Sequence, residues 1–121
     1  MQISLSLLGE PRSTNHIYKS VCRGRFASVY MSKDGKDLKQ SYSEQAVQQY
    51  KGEPLESDLS VSITLYHGTH RKTDIDNFNK LWQDSLKGIT WLDDSQIVSL
   101  TIVKSYDRDK PRIDIQINEL I

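Results

Sequence analysis

Three stretches of this chain alternate apolar and polar residues, and that period of two constrains the fold more than any other feature. In residues 2–8, Ile3, Leu5 and Leu7 face away from Ser4 and Ser6. In 59–67, Val61, Ile63 and Leu65 oppose Ser60, Ser62 and Thr64, and near the end Ile113, Ile115 and Ile117 alternate with Asp114, Gln116 and Asn118. Successive side chains on a strand point to opposite faces, so each stretch reads as a strand with one buried face. A further apolar-rich strand is expected over 97–104, and 17–31 is β-prone with Arg23-Gly24-Arg25 as a hairpin tip. Two segments have helical spacing instead. Leu38, Tyr42, Ala46, Val47 and Tyr50 recur through about 36–51, which Gly52-Glu53-Pro54 stops. Phe78, Leu81, Trp82 and Leu86 form the stripe of a second helix, capped by Asp76 or Asn77 and ended by Gly88. The expected fold class is α+β: a mixed β-sheet with two main helices, in a single small domain over residues 1–121.

A length of 121 residues leaves room for one modest core, or for one protomer of an obligate dimer. No run of apolar residues approaches the eighteen needed to span a membrane, and Met1-Gln2-Ile3-Ser4-Leu5 lacks the pattern of a signal peptide. Cys22 is the only cysteine, which excludes an intrachain disulfide and a cysteine-cluster zinc site. His16, His67 and His70 lack a metal-binding helical repeat, so His67-Gly68-Thr69-His70 reads as a polar loop. Sixteen basic residues balance sixteen acidic ones, and a zero total argues mildly against a generic polyanion binder. The charges are segregated, however. Residues 12–39 carry a net +5, and 74–94 carry −3, which would set a basic approach surface beside an acidic pocket.

Asp74 and Asp76 are spaced i, i+2, so an extended backbone would project both carboxylates to one face. Two such charges about 4 Å apart repel by roughly 4 kcal/mol at an effective dielectric of 20. A cation or a proton must relieve that, and all-oxygen ligands suit Mg²⁺ or Mn²⁺. Asp93 and Asp94 follow the second helix, and the chain must double back at 88–92 for Asp94 to sit near Asp76. Lys80 lies four residues after Asp76 and could stabilise charge developing on a phosphate, although the spacing alone favours a surface ion pair. Asp-x-Asp is a common accident in a chain with eleven aspartates, and Asp107-Arg108-Asp109 reads simply as a turn.

Taken jointly, Asp74-Ile75-Asp76-Asn77-Phe78-Asn79-Lys80 followed by Trp91-Leu92-Asp93-Asp94-Ser95-Gln96 strongly resembles the RusA family of Holliday junction resolvases. The family pattern is Asp-x-Asp-Asn-x-x-Lys, a helix, then Asp-Asp-x-Gln and a hydrophobic strand ending in a basic residue, here Lys104. Pro11-Arg12-Ser13-Thr14-Asn15 is similar to the family's Pro-x-Ser-x-Asn loop. The resemblance implies a homodimeric, Mg²⁺-dependent endonuclease, typically of phage or prophage origin, that cuts four-way junction DNA by paired nicks in recombination and repair. It implies Asp74, Asp76 and Asp94 as catalytic metal ligands and Lys80 as the essential lysine, with Asp93 a less certain neighbour. Arg12, Asn15, Lys19, Arg23, Arg25, Arg71 and Lys72 become the expected DNA contacts, and the bacterial or phage-infected cytoplasm the expected location. A junction-binding protein without activity, and a small nucleotide phosphohydrolase, are the competing readings.

Overall fold

The alternating stretches become strands of one sheet. The computed structural model describes residues 2–13, 18–23, 26–70 and 75–120, with the side chains among them except those at 18–23, 26–29, 76 and 77. The elements run β1 (Gln2–Leu8), β2 (Tyr18–Arg23), β3 (Phe26–Met31), α1 (Lys33–Gln49), β4 (Asp58–His67), α2 (Lys80–Leu86), β5 (Ile97–Tyr106) and β6 (Arg112–Leu120). Short 3-10 turns, Ile75–Phe78 and Asp94–Gln96, precede α2 and β5. The sheet order is β1-β6-β4-β5. β6 pairs antiparallel with β1 and β4, whereas β4 and β5 are parallel. This is the mixed α+β architecture that the patterning implies. β2 and β3 pair separately, with Arg23 opposite Phe26; the tip at 24–25 lies outside the described residues.

One face of the sheet is the core. Ile3, Leu5, Leu7, Leu59, Val61, Ile63, Leu65, Ile113, Ile115 and Ile117 are all buried there, each such side chain contributing about 1.5–3 kcal/mol. Tyr42 and Ala46 of α1 and Leu81, Trp82 and Leu86 of α2 cover that face. Trp82 and Trp91, both fully buried, meet edge to face with ring centroids 6.3 Å apart. The opposite face is polar. On it the Arg112 guanidinium lies 3.9 Å from the Tyr66 ring centroid and pairs with Asp107 and Asp114.

The helices differ from expectation at their starts. α1 begins at Lys33, not near 36, because the Ser32 hydroxyl accepts from Gly35 N at 3.1 Å and caps it one turn upstream of the apolar stripe. α2 begins only at Lys80, and Asn79 is its N-cap residue rather than Asp76 or Asn77. The tighter 3-10 turn before it carries Phe78 inward, 5.0 Å from the His67 ring. Gly88 ends α2 as expected: at φ +86° it adopts the left-handed conformation that disfavours a side chain.

The two edges of the sheet are treated differently. Along β1, Ser6 N donates to Gln49 Oε1 at 2.7 Å, and Gln49 Nε2 donates to Ser6 O at 2.8 Å. Leu8 exchanges the same pair of bonds with Gln45. Two glutamines of α1 thus satisfy the β1 edge as a neighbouring strand would. Among the described residues no strand pairs with the outer edge of β5. That strand also exposes Val98, Leu100, Val103 and Tyr106.

Candidate active site

The crossover from β4 to β5 carries all the expected catalytic residues. The parallel register runs from Leu59 opposite Ile97 to His67 opposite Tyr106, so the chain leaving β4 must travel back the length of the strand before β5 begins. Asp74 lies outside the described residues. Asp76 lies in the 3-10 turn at the C-terminal end of β4, a turn that packs on β5 and α2; its side chain is outside those described. Lys80 opens α2 and is more than half exposed, with Nζ 3.3 Å from Asp84 in an i, i+4 pair.

Asp94 is held at the other end. The chain doubles back at 88–92, but it returns to the start of β4, where Trp91 bridges to Leu55 and Leu55 N donates to Thr90 O at 2.8 Å. Gln96 fixes this corner. Its Nε2 donates to Leu55 O and Ser57 O, and its Oε1 accepts from Leu92 N and Asp93 N, all within 2.9 Å. The indole N–H of fully buried Trp91 donates to Asp94 Oδ1 at 2.7 Å. One aspartate oxygen is therefore anchored to the core. Asp93 faces solvent, where the Ser95 hydroxyl and the Lys87 ammonium hold its carboxyl below the ordinary aspartate range.

From Leu59 to His67, at about 3.3 Å per residue, β4 covers roughly 26 Å. Within one chain Asp94 and the turn holding Asp76 therefore stand at opposite ends of the β4–β5 pair. No three His, Cys, Asp or Glu side chains among the described residues, which do not include those of Asp74 and Asp76, come close enough to hold a metal ion.

The C-terminal end of β4 holds a pair that the sequence does not announce. His67 is the last residue of the strand and is buried, not part of a polar loop. Its Nδ1 lies 3.6 Å from Glu10 Oε1, and Glu10 Oε2 accepts from Gly68 N at 2.8 Å. A side chain at Gly68 would meet Glu10 Oε2 at 2.9 Å and Pro111 at 3.0 Å, so only glycine lets the carboxylate approach. A contact between residues this far apart in sequence leaves no periodic signal. Of the expected DNA contacts, Arg12 is exposed just after β1. Lys19 and Arg23 lie on β2, while Asn15, Arg25, Arg71 and Lys72 fall outside the described residues.

Comparison with known proteins agrees with the motif. The model of the family described as endodeoxyribonuclease RusA matches residues 9–118. A crossover junction endodeoxyribonuclease of Enterobacteria phage 82 is 30% identical over 115 residues, covering 91% of this chain and 89% of that protein. A crossover junction endodeoxyribonuclease of Aquifex aeolicus (strain VF5) is 35% identical over 71 residues, 58% of this chain and 56% of the relative. An uncharacterized protein of Bacillus subtilis (strain 168) is 39% identical over 49 residues, 40% of this chain and 34% of that protein.

Proposed function

The chain belongs to the RusA family of endodeoxyribonucleases, and from that premise we propose that it resolves Holliday junctions as a Mg²⁺-dependent homodimer, cutting four-way DNA by paired symmetric nicks. The placement of Asp94, at the opposite end of the parallel β4–β5 pair from the turn holding Asp76, carries the dimeric part of this reading. Pairing the open edges of two β5 strands antiparallel about a two-fold axis brings the start of one strand beside the end of the other. Asp94 of one copy then approaches the turn holding Asp76 of its partner, and two equivalent sites arise. The exposed apolar residues on β5 support burial there, whereas the glutamine-capped β1 edge cannot accept a strand.

The donor set fits a hard divalent cation, since all three ligands are carboxylates. Mg²⁺, or Mn²⁺ in its place, would supply Lewis-acid activation of water and charge neutralisation at the phosphate there. The chain's own groups do the rest. Asp74 and Asp76 hold the ion from one copy and Asp94 from the other, with the Trp91 indole fixing the rotamer of Asp94. Lys80 faces the charge that develops on the phosphate and the leaving oxygen. Arg12, Asn15, Lys19, Arg23, Arg25, Arg71 and Lys72 hold phosphates of the junction arms. The reaction takes place in the cytoplasm of a bacterial or phage-infected cell.

Asp76→Asn tests the assignment on a synthetic four-way junction with Mg²⁺: cutting falls by about 10²–10³-fold, on the scale of a lost electrostatic catalytic group, while junction binding is retained. Undiminished cutting would overturn the site. Mixing Asp76→Asn with Asp94→Asn protein then separates shared sites from single-chain ones. A shared site predicts heterodimers with one intact site, which nick one strand but do not make the paired incision. A mixture as inactive as either variant excludes the shared site. Wild-type protein that binds junctions but never nicks them with Mg²⁺ would favour the non-catalytic binder instead.

A further inference from the structure

Glu10 reaches from the loop after β1 to a segment 58 residues further along the chain, at the C-terminal end of β4. Its Oε2 accepts from Gly68 N at 2.8 Å, and its Oε1 lies 3.6 Å from His67 Nδ1. The backbone holds both sides of this contact. Gly9 N donates to Pro111 O at 3.1 Å just before Glu10, and Asp107 N donates to His67 O at 2.9 Å. The His67 ring is oriented from its Nδ1 side, because its buried Nε2 has no hydrogen-bond partner among the described residues. Phe78 stands edge-on to that ring, with centroids 5.0 Å apart and planes at 73°. Phe78 is also the last residue of the four-residue 3-10 turn that contains Asp76. It is 5% exposed, whereas Ile75 at the start of the turn is 36% exposed. The turn is thus moored at its end by one buried ring resting on His67. A 3-10 turn has poor hydrogen-bond geometry of its own, so its place depends on that mooring.

We propose that Glu10 is a positioning residue for the nuclease site: by clamping His67 and Gly68 it fixes the ring on which Phe78 stands, and with it the backbone that presents Asp76. In this role Glu10 touches neither metal nor DNA and acts through His67 and Phe78. Arg12 follows two residues later and is exposed, so the same clamp ties the start of the loop expected to hold phosphates to the turn expected to hold the metal. The effect on metal rests on the assignment of Asp76 above; the clamp itself rests only on the contacts of Glu10, His67, Gly68 and Phe78.

Backbone amide hydrogen exchange on the full, metal-free chain tests the clamp without any cutting. Glu10→Ala is expected to speed exchange about tenfold at Gly68 and across 75–80, the size of one hydrogen bond to a charged group, and to leave β1 and β6 at wild-type rates. Glu10→Gln keeps an oxygen acceptor for Gly68 N–H and should restore wild-type exchange. Phe78→Leu keeps an apolar side chain in the core; it should speed exchange across 75–80 but not at Gly68, and adding Glu10→Ala should speed the turn no further. Mn²⁺ affinity, read from the electron paramagnetic resonance signal of the free ion, should weaken about tenfold in Glu10→Ala and recover in Glu10→Gln. In the cutting assay Glu10→Ala should need about tenfold more Mg²⁺ for half its maximal rate, yet reach the wild-type rate at saturation. A merely structural defect would lower the rate at every Mg²⁺ concentration and leave the midpoint in place. Wild-type exchange across 75–80 in Glu10→Ala would overturn the clamp, and faster exchange with unchanged Mn²⁺ affinity would overturn the positioning role. Wild-type protein that neither binds Mn²⁺ nor cuts fails the nuclease reading instead, and the exchange result still decides the clamp.

Discussion

Trp91 joins packing to chemistry within one side chain. Its ring is fully buried against Trp82, yet its N–H reaches out to Asp94. Trp91→Phe keeps much of the ring burial and deletes the donor. The expected outcome is a loss of about 1.5–3 kcal/mol, the range for a hydrogen bond to a charged group, seen in urea unfolding, together with slower junction cutting as Asp94 gains rotamer freedom. Unchanged cutting would remove Trp91 as a positioning residue. Asp107 shows a different use of a carboxylate. It accepts from the backbone of Asp109 and Lys110 and pairs with Arg112 at 2.7 Å, closing the turn that its sequence implies. The Arg112 guanidinium, with the two backbone bonds, holds its carboxyl below the ordinary aspartate value. The folded state therefore binds fewer protons than the unfolded state between the two values. The stabilisation is complete above about pH 4, the unfolded aspartate range, and is lost as pH falls through the folded value. Asp107→Asn should flatten the acid limb of a stability–pH curve below about pH 4 and leave its shape near neutrality unchanged.

At the scale of elements, the contrast between β1 and β5 is informative because both are edge strands of one sheet. Gln45 and Gln49 satisfy the β1 backbone, while among the described residues no strand pairs with the outer edge of β5, which exposes Val98, Leu100, Val103 and Tyr106. A lysine on an edge strand opposes edge-to-edge pairing. Val103→Lys is expected to leave the protomer's stability within about 0.5 kcal/mol, as exposed substitutions do, but to shift sedimentation to the monomer and abolish cutting with it. A dimer of wild-type mass in that variant would send the interface elsewhere. The late start of α2 belongs to this scale too: Phe78 turns inward on His67 before the helix begins, and capping preference at Asp76 and Asn77 yields to that burial.

For the whole molecule, balanced charge is compatible with DNA binding because the two signs occupy different segments. Junction affinity is expected to fall linearly on a log–log plot against salt, with a slope near −0.9 for each phosphate neutralised. Arg12→Gln should make that slope shallower by about 0.9, and an unaltered slope would remove Arg12 from the DNA surface. Among the described residues no helix is long and apolar enough to cross a membrane.

How much of this is legible in the sequence follows from the range of each interaction. Alternation at Ile3–Leu5–Leu7, Val61–Ile63–Leu65 and Ile113–Ile115–Ile117 is a local period, and it determined the strands, the buried face and the α+β class. The aspartate–lysine motif is likewise local, and it determined the family and the kind of chemistry. Strand order carries no local period. Only the tertiary structure decided that β5 lies parallel to β4 at an open edge, that Asp94 stands at the far end from Asp76, and that Glu10 meets His67. These depend on hydrogen bonds and packing between segments distant along the chain, and such contacts are selected by the energy of the whole fold.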